Sequence, residues 1–501
     1  MSLFSLFPAL LRFAPGGALL LLAGCQTASF LERADEETYR IVEDVRGREE
    51  TGIEKKEPLS IETPFSKRSP ASLPPEEIIQ GRSQRESLPL AIEEAISLGI
   101  QSSREYQSQR ESLYLTALTY SGQRHRFRPQ KFFSGRPSQR WQPRDSPADP
   151  GTSELLLEGD ANLGFTQAFQ TGTEFAVNVA NDVLRYYTGD PRRSAVSAVT
   201  INLVQPLLRG AGRKVAAEQL TQSFRDVVYQ VRDYSHFQSE FVRDVVVSYF
   251  RLLQNRDSVF NAYSDYESRL NATEYLLARS VDRENPLDVK QAEQAELSAK
   301  NRYIDSVARY RNAVDDFKIR LGIPLSTDLQ LDKTELDDLR KVGLIPLELP
   351  PDQAVAIALD RRLPLLNEID RFDDAKRRIL VAADALEGEV TLISNATFLS
   401  DEPLNFLDFH FSDLQANVAI QIDLPVNKKQ ERNAYRTTLI RFEEEIRSLS
   451  LTVDRLYQNV ERFHRQLEQF TLNYEIQQAA VEQARLRVEG ARLRLAAGTA
   501  I

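Results

Sequence analysis

A run of alternating residues that turns into a very long helix occurs twice in this chain, and that duplication constrains the fold more than any other feature. The first copy, near residues 201–214, runs through Gln205-Pro206-Leu207-Leu208-Arg209-Gly210-Ala211-Gly212-Arg213. The second, near 415–433, runs through Leu424-Pro425-Val426-Asn427. Aligning Pro206 with Pro425 gives an offset of 219 residues (425 − 206), the scale of a duplicated half rather than a solenoid repeat. The corner residues Pro206, Gly210, Gly212 and Pro425 mark where strand becomes helix. Two such copies predict an extended, internally symmetric molecule.

The helices are long because nothing breaks them. Residues 213–285 contain neither Gly nor Pro, and as one helix they would extend about 110 Å. Leu287–Leu321 is a second clean stretch, closed by Gly322. Asp352–Glu387 is a third, interrupted by Pro364, and Val426–Glu489 is a fourth. The spacing predicts an antiparallel hairpin with one arm continuous from Arg213. The other arm is expected from Leu287–Leu321 and Ala354–Ala385, with a break between them. Such helices need apolar seams. Phe241, Val245, Ser248, Leu252 and Val259 form one stripe; Leu449, Val453, Leu456, Val460, Phe463 and Leu467 form another.

Leu414–Leu424 alternates apolar and polar along its length, the period of a strand with one face in lipid and one in water. Residues 162–169, 175–183, 196–204 and 390–398 alternate less regularly. Assigning two strands to each half gives four per protomer. Four strands cannot close a barrel, and open edges are not tolerated in lipid, so oligomerisation is expected; three copies would supply twelve strands.

The formal net charge is −10 with basic and acidic residues interspersed, which gives no basic footprint for nucleic acid. The scattered His125, His236, His410 and His464 and a lone cysteine present no metal-ligand spacing and no nucleophile–base pair. No cofactor or catalytic residue is expected. That cysteine follows a short apolar run, residues 13–22, in Leu22-Ala23-Gly24-Cys25. The run is too short to span a membrane as a helix and reads as an export signal. Leu-Ala-Gly-Cys resembles a bacterial lipobox, which implies lipidation of Cys25. Gln26 is not the Asp that favours inner-membrane retention, so the resemblance implies lipid anchoring at the outer membrane. Residues 1–24 are then the lipoprotein signal peptide and 25–87 a lipidated, polar arm without sustained periodicity.

Residues 88–501 resemble the TolC-like outer-membrane efflux protein family. The resemblance rests on the paired helix starts Leu90–Leu98 and Leu349–Leu359, the corner 205–213, and Ala491-Arg492-Leu493-Arg494-Leu495-Ala496-Ala497-Gly498-Thr499. It implies an α+β membrane protein: a homotrimer whose twelve-stranded barrel in the Gram-negative outer membrane continues into a tunnel of long antiparallel helical hairpins. Its partners would be a periplasmic adaptor and an inner-membrane transporter. Its role would be that of a passive exit duct of a tripartite pump or type I secretion system. The organisation so implied is a first repeat at 88–322, a connector at 323–348 and a second repeat at 349–501. Arg494, Leu495, Gly498 and Thr499 match the periplasmic tip, the adaptor contact, and Asp288 matches an acidic gate position. The first tip, residues 278–286, lacks the usual Gly. By the repeat, the second half is expected to finish near 541 (322 + 219), about 40 residues past Ile501; either the chain is a fragment or the duct function is lost. The competing expectation is a periplasmic helical lipoprotein that bridges envelope components without forming a channel.

Overall fold

The computed structural model describes residues 27–48, 59–66, 68–83, 87–143, 153–186, 193–280, 286–332, 334–346, 348–400, 409 and 411–497. Helix α1 spans Thr27–Arg48 and α2 spans Pro75–Gly81. After strand β1 (Ser87–Leu90) come α3 (Ile92–Ser102) and α4 (Arg104–His125). Four strands follow: β2 (Gln130–Pro143), β3 (Ser153–Ala168), β4 (Glu174–Tyr186) and β5 (Arg193–Pro206). One turn of helix, α5 (Arg213–Ala216), leads into α6 (Glu218–Ser280), and α7 covers Pro286–Leu321. Then come β6 (Asp328–Leu331), α8 (Thr334–Val342), α9 (Pro351–Arg361) and α10 (Leu363–Asp384). The last elements are β7 (Glu389–Leu399), β8 (Gln415–Asp423) and α11 (Lys429–Ala496).

The duplication is visible element by element. Helices α3 and α9 both have 11 residues, and α4 and α10 both have 22. Local chemistry sets each start. Before α3, the Ala91 amide donates to the Glu94 carboxylate at 3.1 Å, half of a capping box. In α9 the first position is Pro351, whose missing amide costs nothing there. The long α6 and α11 have 63 and 68 residues. The arm expected over 354–385 is broken at Arg362, because Pro364 begins a new helix.

The chain divides into two compact units. The first comprises Met1–Glu50, Tyr114–Val231 and Asn367–Ser450; the second comprises Thr51–Leu113, Arg232–Leu366 and Leu451–Ile501. In the first, α1 buries Ile41, Val42 and Val45. It is tied to α4 by Tyr114 Oη donating to Asp35 at 2.7 Å and by an Arg124–Glu37 ion pair at 2.5 Å. The arm expected to lack periodicity is therefore helical over 27–48. Its apolar spacing of three and four is carried by only a few residues among many charges, so the pattern is faint in the sequence.

The same unit holds one antiparallel sheet in the order β2-β3-β4-β5-β7-β8. Among the described residues it has six strands rather than four. The five alternating segments are β3, β4, β5, β7 and β8, already one more than two per half; the strand absent from the sequence reading is β2, whose Lys131, Arg136, Pro137 and Arg140 blur its alternation. Its register is nevertheless continuous with β3 from Gln130↔Thr166 to Pro143↔Ser153.

In the second unit, Phe241, Val245 and Leu252 of the first apolar stripe are buried, while Ser248 and Val259 are half-buried; Tyr249, Phe317 and Leu321, outside that stripe, are buried as well. The second stripe is buried at Leu456 and exposed at Phe463 and Leu467. Strand β1 pairs with β6 in parallel, and Tyr249 Oη donates to the Leu90 carbonyl at 2.9 Å. Gly322 ends α7 with φ 79°, and a Cβ there would lie 1.9 Å from the Ser102 carbonyl oxygen. Gly343 has φ 69° but nothing within 4 Å.

That contrast gives a paired prediction. Gly343→Ala should cost about 1 kcal/mol, the left-handed backbone term alone. Gly322→Ala adds a backbone collision and should cost at least about 2 kcal/mol. Thermal unfolding followed by helical circular dichroism would separate them; equal shifts would mean the Ser102 contact carries no weight.

Candidate transmembrane sheet and its supports

Side chains alternate across a strand, so residues paired across the registers share one face. One face is predominantly apolar in all six strands. Phe133 of β2 faces Leu163 of β3, and Leu163 faces Val179 of β4. Val179 faces Val199 of β5, and Val199 faces Phe398 of β7. Leu392 of β7 faces Ile420 of β8. Much of this face is uncovered, Phe133 being 73% and Val418 68% exposed. The opposite face is polar across the same rows. Arg136 pairs with Asp160 and Gly164 with Asn178. Asn178 pairs with Thr200, Thr200 with Thr397, and Thr397 with Gln415. Strand lengths of 9 to 16 residues meet the length that a tilted strand needs to cross a bilayer. No helix among the described residues is long and apolar enough to do so.

The strand-to-helix corner is held by backbone bonds that need glycine. Pro206 is the last residue of β5, paired with Thr391. Gly210 and Gly212 have φ 78° and 85°. The Leu207 amide donates to the Val390 carbonyl at 2.7 Å, and Gly212 donates to the Thr171 carbonyl at 3.0 Å. Gly172, in the β3–β4 turn with φ 91°, approaches so closely that a Cβ would meet the Gly210 carbonyl oxygen at 2.7 Å. The Gly210 amide also donates to the Asp384 carboxylate at 2.9 Å. The structure thus brings Pro206, Gly210 and Gly212 together with a turn from another hairpin. Pro425 sits between β8 and α11, exposed, in the equivalent second corner. There the Lys428 ammonium donates to the Leu386 carbonyl at 2.7 Å.

Beside the first corner, α6 and α10 are joined by a charged, hydrogen-bonded network. Glu218, Gln222, Arg225 and Tyr229 form one stripe of α6; Asn367, Asp370, Asp374 and Arg377 form one stripe of α10. Asp374, with its side chain only 1% exposed, accepts from Tyr229 Oη at 2.7 Å, Arg225 at 2.9 Å, Arg377 at 2.7 Å and Gln222 at 3.1 Å. Arg377 also pairs with Glu218 at 3.1 Å. Burial pushes the Asp374 carboxyl up, but the bonds from Tyr229, Gln222 and Arg377 and the Arg377 charge outweigh it and hold it below the ordinary value. Sequence reading missed this network, because each half of it looks like an ordinary solvated helix face until the two meet.

The remaining sequence candidates belong to other elements. Asp288 is exposed in the first turn of α7, next to the buried Val289. Arg494 lies in the last turn of α11, and Leu495 is helical. Cys25, Gly498, Thr499 and tip residues 281–285 lie outside the described residues. Among those described, no cluster of three or more His, Cys, Asp or Glu side chains is placed to hold a metal ion.

Compared as a sequence, the chain matches no protein-family model and no curated protein. Compared as a structure, it is similar to the Campylobacter jejuni CmeC outer-membrane channel, with TM-score 0.54 and 13% identity over 82% of this chain and 77% of that one. It is similar to the Vibrio cholerae outer-membrane protein VceC, with TM-score 0.55 and 12% identity over 82% of this chain and 87% of that one. A third match is the open state of the Neisseria gonorrhoeae MtrE outer-membrane channel, with TM-score 0.51 and 15% identity over 80% of this chain and 78% of that one. The chain therefore has the fold of these outer-membrane proteins. At these identities the likeness is one of fold.

The Asp374 network has a checkable cost. Asp374→Ala leaves two guanidinium groups without their shared acceptor and should destabilise by about 3 kcal/mol, the lower end for a broken buried pair because both remain partly wet. A carboxyl held low in the fold stabilises above its unfolded value of about 3.9 and loses that contribution as pH falls through its folded value. Stability of the native chain should therefore fall below about pH 4 more steeply than that of the variant. Unfolding midpoints measured from pH 7 to pH 3 would show it, and parallel curves would remove Asp374 from the account.

Proposed function

We propose that this chain is a protomer of a passive exit duct in the Gram-negative outer membrane, serving a tripartite efflux pump or a type I secretion system. The observation that carries this reading is the sheet with one predominantly apolar face, a polar row through Asn178, Thr200, Thr397 and Gln415 on the other, and, among the described residues, two open edges. In lipid such a sheet is viable only when its edges are paired, and three copies closing around a polar lumen would pair them. The apolar row through Phe133, Leu163, Val199 and Ile420 would meet lipid, and the row through Asn178, Thr200 and Thr397 would line the passage. Cys25 would carry acyl chains that add to anchoring. A periplasmic adaptor would engage the tip region that includes Arg494, Leu495, Gly498 and Thr499, and an inner-membrane transporter would supply the energy. Asp288, at the opening of α7, would place a ring of carboxylates at the entrance and so set its selectivity by charge.

A bridging lipoprotein that forms no channel is the second reading. It is favoured by the uncovered apolar residues of α11, among them Phe463, Phe470, Leu486 and Leu493, which a partner helix would cover.

Native mass spectrometry of the protein extracted in detergent separates the two. A detergent-requiring trimer is expected for the duct; a monomer or dimer that stays soluble without detergent would overturn it. In planar bilayers, Asp288→Asn should raise single-channel conductance. An assembled trimer with unchanged conductance would remove the gate role and leave the duct standing.

A further inference from the structure

The two halves of this chain carry different numbers of strands, and the difference is one hairpin long. The boundaries of α3 and α4 map onto those of α9 and α10 with an offset of 259 residues (351 − 92 and 384 − 125). The corner prolines Pro206 and Pro425 map with an offset of 219. The first half therefore holds 40 additional residues (259 − 219) between its second helix and its corner. Strands β2 and β3 with their connection span residues 130–168, which accounts for that excess.

The additional hairpin is continuous with the sheet. Both faces run through it: Phe133 and Leu163 extend the apolar row, and Arg136 and Asp160 the polar one. Phe132 lies across Gly164, where a Cβ would come within 2.7 Å of its ring, the device by which an aromatic covers a strand glycine.

Resting on the duct reading above, we infer that the free edge of β2 pairs with the free edge of β8 in the next copy of this chain. Each copy then contributes six staves, and three copies close an eighteen-stranded barrel. Direction permits it. Five successive antiparallel pairings leave β2 and β8 antiparallel to one another, so β8 of one copy meets β2 of the next in the same sense as every other pair. Register permits it as well. Following the ladder from Gln130 through Thr166, Ala176, Asn202 and Asn395 leads to Asn417. Asp423, the end of β8, lies six positions further toward the helices. Pairing all of β8 with the next copy's β2 therefore sets Gln130 opposite Asp423 and staggers each copy by six residues.

That stagger matches closure. A stagger of one residue per strand, with a rise of about 3.3 Å and a spacing of about 4.8 Å, gives a tilt of about 35°. This lies at the lower bound of the range for closed membrane barrels, and it holds for any number of copies. Facing is preserved too: the register sets Phe133 opposite Ile420 on the apolar side and Ser134 opposite Ala419 on the polar side. Within it, Pro137 removes at most one ladder bond.

Cysteine pairs test the edge directly, because the native sequence contains only Cys25. In the full chain in its membrane, Ser134→Cys with Ala419→Cys should, on oxidation, move the denatured protein from single-chain bands to bands of two and three linked chains. Ala180→Cys with Ala419→Cys, the pair expected if β4 were the outer edge of a twelve-stranded barrel, should stay unlinked between chains. Asn162→Cys with Ala180→Cys, opposite one another in β3 and β4, should link within one chain. Inter-chain linkage through Ala180, or no β3–β4 linkage, would overturn the six-strand count while the trimer survives in native mass spectra. A trimer in which the Ser134–Ala419 pair stays unlinked would overturn the register. Loss of the trimer in the native protein would instead sink the duct reading.

Discussion

A strand inside a sheet spends its amides and carbonyls on two neighbours, whereas a strand at the rim spends them on one. In this chain β3, β4, β5 and β7 are interior, and β2 and β8 are the rims. In water, a rim strand's spare groups bond solvent at little cost. The sheet here turns an uncovered apolar surface outward on one side, so the environment that stabilises that surface is also the one in which a spare amide is most costly. Apolar face and open edge therefore make opposite demands, and closing the sheet on further copies, as proposed, would meet both. The short strand-to-helix corners, the glycines that permit them and the buttress at Asp374 then read as fixtures that aim the strands.

Those fixtures share a physical style. The first corner is fixed by backbone bonds between segments far apart in sequence, such as Leu207 with Val390 and Gly212 with Thr171. The neighbouring helices are fixed by a carboxylate that gathers four donors. An apolar seam tolerates sliding, because its energy depends on area. A bidentate or shared-acceptor contact does not, because its energy depends on angle and distance. Directional bonding thus lies where the strands begin, and apolar packing dominates the second unit around Tyr249 and Phe317.

The parts of this design legible in the sequence were those with a strong period or an uninterrupted length. The long helices, the alternation of β8 and the strand-to-helix corners are all of that kind. Strand β2 was hidden because its apolar residues, Phe133 and Trp141, are separated by Gly135, Pro137 and Gln139 on the same face. Only its register with β3 reveals the row they belong to. Helix α1 was hidden by its charges. The Asp374 network could not be read from either helix alone, since its members lie about 150 positions apart and each stripe is plausible as a wet surface. Paired helix starts and paired corners carry different offsets in the sequence, which already implies inserted residues in the first half.

The insertion also has a topological consequence. Chain leaving α4 enters the sheet from the helix side, and chain entering α6 must return to that side, so the number of strands between them is necessarily even. A sheet of this kind can lengthen only by whole hairpins, never by a single strand. The first half holds four strands and the second two, both even, and the halves differ by the smallest step that the path allows. The duplicated protomer thereby loses the equivalence of its halves in the sheet while keeping it in the helix pairs α3–α4 and α9–α10. A ring of three such chains would present six copies of that helix pair but only three equivalent arcs of strand.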